Sequence, residues 1–101
     1  MMITTKQLEN GALVTIDGNI DSDSGHDLSV ALMEVMEWDE VQHVDFDLAT
    51  VNTVTSAAIG KLINFYKFME QKCGTMSISA ISEGLKKQFR EIHLDRIIPI
   101  K

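Results

Sequence analysis

The chain has 101 residues, fewer than the roughly 150 of a typical domain, so its length predicts a single domain over residues 1–101. Apolar residues make up 45% and charged residues 24%, and six glycines and one proline are too few for a disordered or collagen-like chain. The net charge is −6, divided into −10 over residues 1–50 and +4 over residues 51–101, and the bases are dispersed without interleaved aromatics, so we expect no nucleic acid as a partner.

The first half of the chain predicts two strands and a helix. Residues 3–8 and 12–17 have strand patterns, and Asn10-Gly11 between them is a hairpin signal. Ser24 is placed to cap a helix that runs to about residue 37. The apolar positions of this helix form one stripe: Leu28, Ala31, Leu32, Val35 and Met36.

The second half predicts two further strands and a long helix between them. Residues 42–48 alternate apolar and polar side chains, which is typical of a strand. In the helix predicted over residues 55–71, apolar positions cover so much of the circumference that we expect it to be largely buried. Gly74 is predicted to end that helix as the left-handed residue, and residues 75–80 form the next strand.

The C-terminal region predicts a third helix and an optional strand. Ser82 is the expected N-cap of the helix, whose apolar stripe is Leu85, Phe89 and Ile92, and residues 97–100 are the optional strand. The whole order is β β α β α β α, and strand–helix–strand units of this spacing require mostly parallel pairing. We therefore expect an α/β fold with one mixed, mostly parallel sheet of four to five strands and helices packed on it.

Several kinds of chemistry find no support in the motifs. The three histidines lack a metal-ligand spacing and are expected to be surface or structural residues. A calcium loop would need Gly and a bidentate Glu at the positions of Ser22 and Leu28. We therefore expect no catalytic residue, no metal and no cofactor, so the protein is not predicted to be an enzyme.

The location of the protein is predicted from what the sequence lacks. No run reaches the ~18 consecutive apolar residues of a membrane span, and the start has no apolar core typical of a signal sequence, so no membrane insertion is expected. The lone Cys73 cannot form an internal disulfide, which favours a reducing compartment. We therefore expect a soluble, cytoplasmic domain.

The most informative segment is residues 51–60, which join a strand to the long helix. Thr55 and Ser56, followed by small residues, place hydroxyl groups at a helix N-terminus, where backbone N–H groups attract anions. On local grounds alone, the favoured interpretation is that Thr55 is an ordinary N-cap and Ser56 an incidental residue of the first turn, since Ser and Thr caps are common.

Three segments of the chain resemble the STAS domain, the fold of bacterial anti-sigma factor antagonists. Residues 18–21, Gly-Asn-Ile-Asp, are similar to its Gly-Glu-Leu-Asp, and residues 46–51, Phe-Asp-Leu-Ala-Thr-Val, to its Leu-Asp-Leu-Ser-Gly-Val. Residues 55–60, Thr-Ser-Ala-Ala-Ile-Gly, match the phosphorylation motif Asp-Ser-Ser-Gly-Leu-Gly and place Ser56 on the phosphorylated serine. Only that serine and the final glycine of the motif are retained.

The resemblance implies a partner-switching mechanism. The unphosphorylated domain would bind an anti-sigma factor or another regulator of the GHKL serine kinase type, and phosphorylation of Ser56 would release it until a serine phosphatase restores binding. The residues expected at the docking surface are Asp21, Asp23, Thr53, Thr55, Ser56 and Ala57. The output would be release of a sigma factor in a stress response or control of a biofilm or exopolysaccharide programme.

Two other functions stay open at this point. A STAS domain can be the small cytoplasmic subunit of a lipid-transporting ABC complex, where it binds the ATPase permanently and the residue at the Ser56 position is a contact. A small enzyme or ligand-binding domain would need a convergent polar pocket, which the sequence does not provide.

Overall fold

The structure, a computed structural model, describes residues 2–19, 25–38 and 40–100. Its elements follow the predicted order: β1 Met2–Leu8, β2 Gly11–Asp17, α1 Gly25–Glu37, β3 His43–Leu48, α2 Ser56–Gln71, β4 Thr75–Ile81, α3 Glu83–Glu91 and a short 3-10 turn, Leu94–Arg96. The strands form one sheet in the order β1-β2-β3-β4. β1 is antiparallel to β2, and the other two pairings are parallel. The predicted mixed, mostly parallel sheet is confirmed.

The core lies on one face of this sheet. Alternate residues of β2 and β3 are buried there, because side chains of a strand point to opposite faces in turn: Ala12, Val14, Ile16, Val44, Phe46 and Leu48. Phe65 of α2 packs edge-on against Phe46, with ring centroids 5.7 Å apart. This T-shaped arrangement is one that aromatic pairs prefer, so it anchors α2 to the centre of the sheet.

Helix α2 is less buried than its composition predicts. Only one face is fully covered, by residues that recur with helical spacing: Ala58, Leu62, Phe65 and Met69. Ile59, Ile63, Tyr66 and Phe68 are half-buried at the two sides of that face. The prediction of a largely buried helix was wrong because apolar side chains at the border of a helix–sheet interface are covered on one side only.

The left-handed residue that terminates α2 is Cys73, not Gly74. Cys73 has φ 63°, and the amides of Cys73 and Gly74 donate to the carbonyls of Glu70 and Met69, which are the two hydrogen bonds of a Schellman motif. Gly74 is required for another reason: a Cβ there would lie 2.9 Å from the carbonyl oxygen of Gln42. The prediction of Gly74 as the left-handed residue was therefore wrong by one position.

Two predictions for the C-terminal region also need correction. Ile92 lies beyond α3 as its C-cap and is exposed, so the buried stripe of this helix consists of Leu85 and Phe89. Residues 97–100 form one isolated bridge, Ile78 to Ile100, in place of a strand. The amide of Ile78 donates to the carbonyl of Pro99, but Pro99 has no N–H with which to continue a ladder.

Candidate functional site

The candidate site is the segment of residues 49–56, which connects β3 to α2. Because β2, β3 and β4 are parallel, their carboxyl ends meet at one edge of the sheet, and this segment crosses that edge. In open α/β sheets, loops at this edge are the usual location of binding sites. The site therefore lies where the fold class predicts it.

The N-terminus of α2 presents the hydroxyl of Ser56. Thr55 is the N-cap: its backbone is extended, and its Oγ1 accepts a hydrogen bond from the amide of Ala58 at 3.2 Å. Ser56 and Ala57 are exposed in the first turn, while Ala58 is 1% exposed and faces the core. Ser56 thus lies at the positive end of the helix dipole, in a first turn without an acidic side chain.

One side of the segment is held by Asn19, which belongs to the loop between β2 and α1. The Asn19 Oδ1 accepts hydrogen bonds from the amides of Asn52, at 2.9 Å, and Thr53, at 3.4 Å. Nearby, Thr50 Oγ1 donates to Asp17 Oδ1 at 2.7 Å and accepts from the Gly18 amide at 3.2 Å. The two loops at this edge are therefore joined by side-chain hydrogen bonds.

The other side of the segment is held by α3. Ser82, which also caps α3, donates from Oγ to the carbonyl of Val51 at 2.5 Å. Gln88 Nε2 donates to the carbonyl of Val54 at 3.1 Å, and the side chains of Val51 and Val54 are buried. The path of the backbone up to Thr55 is thus fixed by contacts on both sides.

The structure brings together four of the six residues predicted for docking. Thr53, Thr55, Ser56 and Ala57 lie in one continuous segment, and Thr53, Ser56 and Ala57 are exposed. The predictions for Asp21 and Asp23, like that for the Ser24 cap, lie outside the described residues.

Sequence reasoning missed the residues that position the segment. Asp17 and Asn19 have the spacing of the first two ligands of a calcium loop, but both accept hydrogen bonds from protein donors. Within residues 2–19, 25–38 and 40–100, the structure has no group of three or more His, Cys, Asp or Glu side chains suited to a metal. Gln88 carries no sequence signal, because a half-buried polar residue on an amphipathic helix looks like a solvated one.

A second polar cluster lies on the face of the sheet opposite the core. The parallel register pairs His43 with Thr75 and Asp45 with Ser77. His43 Nε2 donates to Asp45 Oδ1 at 2.7 Å, and Asp45 also accepts from Ser77 Oγ, while His43 Nδ1 contacts Thr75 Oγ1. Ser77 is only 2% exposed beneath these side chains. These contacts link neighbouring positions of β3 and β4 on this face of the sheet.

The chain matches the STAS domain family over residues 2–101. This match covers nearly the whole chain, so the protein belongs to the STAS family, as its sequence motifs indicate.

Solved structures with the same fold include anti-sigma factor antagonists. One from Mycobacterium paratuberculosis superposes with a TM-score of 0.84 at 19% identity, over 98% of this chain and 83% of that chain. SpoIIAA in its unphosphorylated form gives 0.82 at 11% identity, over 99% and 88% of the two chains. The phosphorylated form of SpoIIAA, a Bacillus cell fate determinant, gives 0.74 at 11% identity, over 99% and 91%. At these identities the likeness shows the fold.

Among residues 2–19, 25–38 and 40–100, no helix combines the length and the apolar character needed to cross a bilayer.

Proposed function

We propose that this protein is a phosphorylation-controlled partner-switching regulator with Ser56 as the phosphoacceptor. The observation that carries the proposal is the position of Ser56: it is exposed in the first turn of α2, directly after a capped and hydrogen-bonded loop. A kinase can reach such a hydroxyl without unfolding the helix. The membership of the STAS family and the anti-sigma factor antagonists among its structural neighbours support the proposal.

A phosphate on Ser56 would be tolerated by the fold and would change the surface. Helix N-termini favour anions, because their free N–H groups and the helix dipole both attract negative charge. A phosphoserine adds about −1.5 to −2 charge and three acceptor oxygens. Since Asn19, Ser82 and Gln88 hold the preceding loop, the switch operates through charge and volume at the docking surface and requires no new loop path.

The partner that fits this scheme is an anti-sigma factor or a related regulator of the GHKL serine kinase type, with a serine phosphatase to reverse the modification. Thr53, Thr55 and Ala57 would contact this partner, and Asp21 and Asp23 would offer carboxylates to its Lys or Arg side chains. The protein acts here by binding in the cytoplasm and catalyses no reaction. Release of a sigma factor and control of a biofilm programme are both compatible outputs.

The experiment compares wild type, Ser56→Ala, Ser56→Asp and Asn64→Asp as baits in pull-downs from the native cell. Asn64→Asp is the matched control, because it adds the same charge at an exposed position eight residues further along α2, ~12 Å away. We expect wild type, Ser56→Ala and Asn64→Asp to retain a serine kinase. Ser56→Asp should bind it at least ~10-fold more weakly, because burying an unpaired carboxylate in the interface costs this much or more.

Phosphate mapping on the wild-type bait completes the test. Phosphate on Ser56, absent from Ser56→Ala, is the expected result. If all four baits instead retain one ATPase subunit and wild type carries no phosphate, then Ser56 is a contact residue and the protein is a subunit of an ABC transport complex.

A further inference from the structure

A groove of about 450 Å³ lies between β1 and α1. Its apolar lining comes from Met2 and Ile3 of β1 and from Val30 and Ala31 of α1. Ala31 is buried at its base, whereas Met2 is 68% and Val30 51% exposed. Exposed apolar side chains are normally scattered singly over a protein surface, so large ones that line the same groove indicate an interaction surface.

The acidic lining of the groove comes from α1. Asp27 and Glu34 lie seven residues apart, which is ~10 Å along a helix. Within the part of the chain that the structure describes, neither carboxylate has a hydrogen bond or an ion pair with another side chain. Helix α1 contains no Lys or Arg, and Lys6 is the sole such residue in the first half of the sequence. The groove is therefore suited to a ligand that carries positive charge.

The other wall of the groove is an unprotected sheet edge. β1 is the outermost strand of the sheet, and it pairs with β2 in continuous register from Met2↔Asp17 to Leu8↔Gly11. In residues 2–19, 25–38 and 40–100, no strand pairs with its outer side. Proteins usually protect such edges with proline, bulges or several charges. β1 contains no proline and no bulge, and Lys6 is its one charged residue. Its outer row of N–H and C=O groups can accept another strand.

We propose that this groove binds an extended peptide segment of a partner protein, which adds to β1 as a further strand. The segment carries basic side chains at two positions four residues apart and an aliphatic side chain midway between them. In a strand, side chains at these three positions point the same way, and the two basic positions lie ~13 Å apart. Asp27 and Glu34 are ~10 Å apart along α1, a difference that flexible Lys or Arg side chains can cover. The aliphatic side chain then lies over Val30 and Ala31. This surface includes none of the residues assigned to the Ser56 switch.

The test is an NMR titration of the full chain with a capped peptide of sequence Thr-Lys-Thr-Val-Thr-Lys-Thr. We expect amide shifts concentrated in residues 2–5 and 26–34. The double variant Asp27→Asn, Glu34→Gln should bind at least ~10-fold more weakly, because it removes both charge partners. Glu37→Gln, an exposed acid on α1 outside the groove, is the matched control and should bind as wild type does.

Two N-methylated versions of the peptide test for strand addition. Each carries methyl groups on alternate backbone nitrogens, so one version blocks the N–H groups that face β1 and the other blocks those that face away. We expect one version to lose binding and the other to retain it. Equal binding by both versions, shifts outside the groove, or an unchanged affinity of the double variant would overturn the proposal. A dimer formed through β1, detected by sedimentation, would overturn it in favour of a second copy as the occupant.

Discussion

Tyr66 lies beside Glu70 on the outer side of α2, and the ionisation of Tyr66 can be followed separately from that of every other group. Tyr66 Oη donates to Glu70 Oε2 at 3.3 Å. The Glu70 carboxylate raises the pKa of Tyr66 above its ordinary value of 10.0, because it repels the phenolate, and partial desolvation and the hydrogen bond act in the same direction. The protein has a single tyrosine, so phenolate absorbance reports on this residue alone.

We expect Glu70→Gln to lower the pKa of Tyr66 toward 10.0. Loss of the negative charge makes the phenolate easier to form, so the absorbance change should occur at lower pH than in wild type. Ultraviolet titration measures it directly, with Glu91→Gln on α3 as the control that should leave the curve in place. A curve that is the same in both variants and wild type would show that Glu70 does not act on Tyr66.

Asn19 connects the loop after β2 to the candidate site through two hydrogen bonds. In Asn19→Ala, the amides of Asn52 and Thr53 lose their acceptor, so both should exchange with solvent faster, at a cost in stability of about 1 kcal/mol. Amide hydrogen exchange measures this effect residue by residue. Asn19→Asp retains an acceptor oxygen and should retain the protection. Unchanged exchange in Asn19→Ala would mean that the loop is held by its other contacts alone.

At the level of elements, α2 is terminated by a left-handed residue that is not glycine, the residue usually found there. Cys73 adopts φ 63°, which costs a residue with a Cβ roughly 1 kcal/mol or more and costs glycine little. We expect Cys73→Gly to stabilise the protein by about 0.5–1 kcal/mol, after the greater chain entropy of glycine is subtracted.

Thermal or urea unfolding checks this expectation, with two variants for comparison. Cys73→Ala removes the thiol but retains the left-handed strain, so its stability should remain close to that of wild type. Gly74→Ala should lose stability, because its Cβ would meet the Gln42 carbonyl at 2.9 Å. If Cys73→Ala gained as much as Cys73→Gly, the thiol and not the backbone would be the source of the effect.

The elements themselves were largely predictable from local patterns. Alternation predicted β2 and β3, because this pattern depends on neighbours in sequence. The hairpin between β1 and β2 was predicted one residue late: its turn residues are Glu9 and Asn10, and Gly11 already pairs with Leu8 as the first residue of β2. The left-handed residue was placed one position late, since Gly74 is demanded by a contact with Gln42, which is distant in sequence. The positions of Thr55 and Ser56 at the start of α2 were predictable from capping rules, whereas the roles of Asn19 and Gln88 depend on tertiary contacts alone.

For the molecule as a whole, the contact between α2 and the sheet is a central part of the core. Phe65 is fully buried and packs edge-on against Phe46. We expect Phe65→Ala to lower the free energy of unfolding by about 3–5 kcal/mol, a large share of the roughly 5–15 kcal/mol of a small domain. Phe68→Ala removes a half-buried ring from the same helix and should cost less.

Urea unfolding followed by circular dichroism would compare the two variants. If Phe65→Ala and Phe68→Ala lowered the free energy of unfolding equally, the fully buried face of α2 would contribute no more to stability than its half-buried side. If a folded Phe68→Ala variant still binds the peptide, then its loss of stability does not impair the groove between β1 and α1.

The hydrogen bonds around the β3–α2 segment join residues 31 to 34 positions apart in the sequence. The segment is translated before Ser82 and Gln88, so truncated chains that end before these residues lack the contacts that fix its shape. The native surroundings of Ser56 therefore exist only in chains completed through α3. Under the proposed function, fragments that lack α3 would present Ser56 on an altered surface and would compete poorly for the partner.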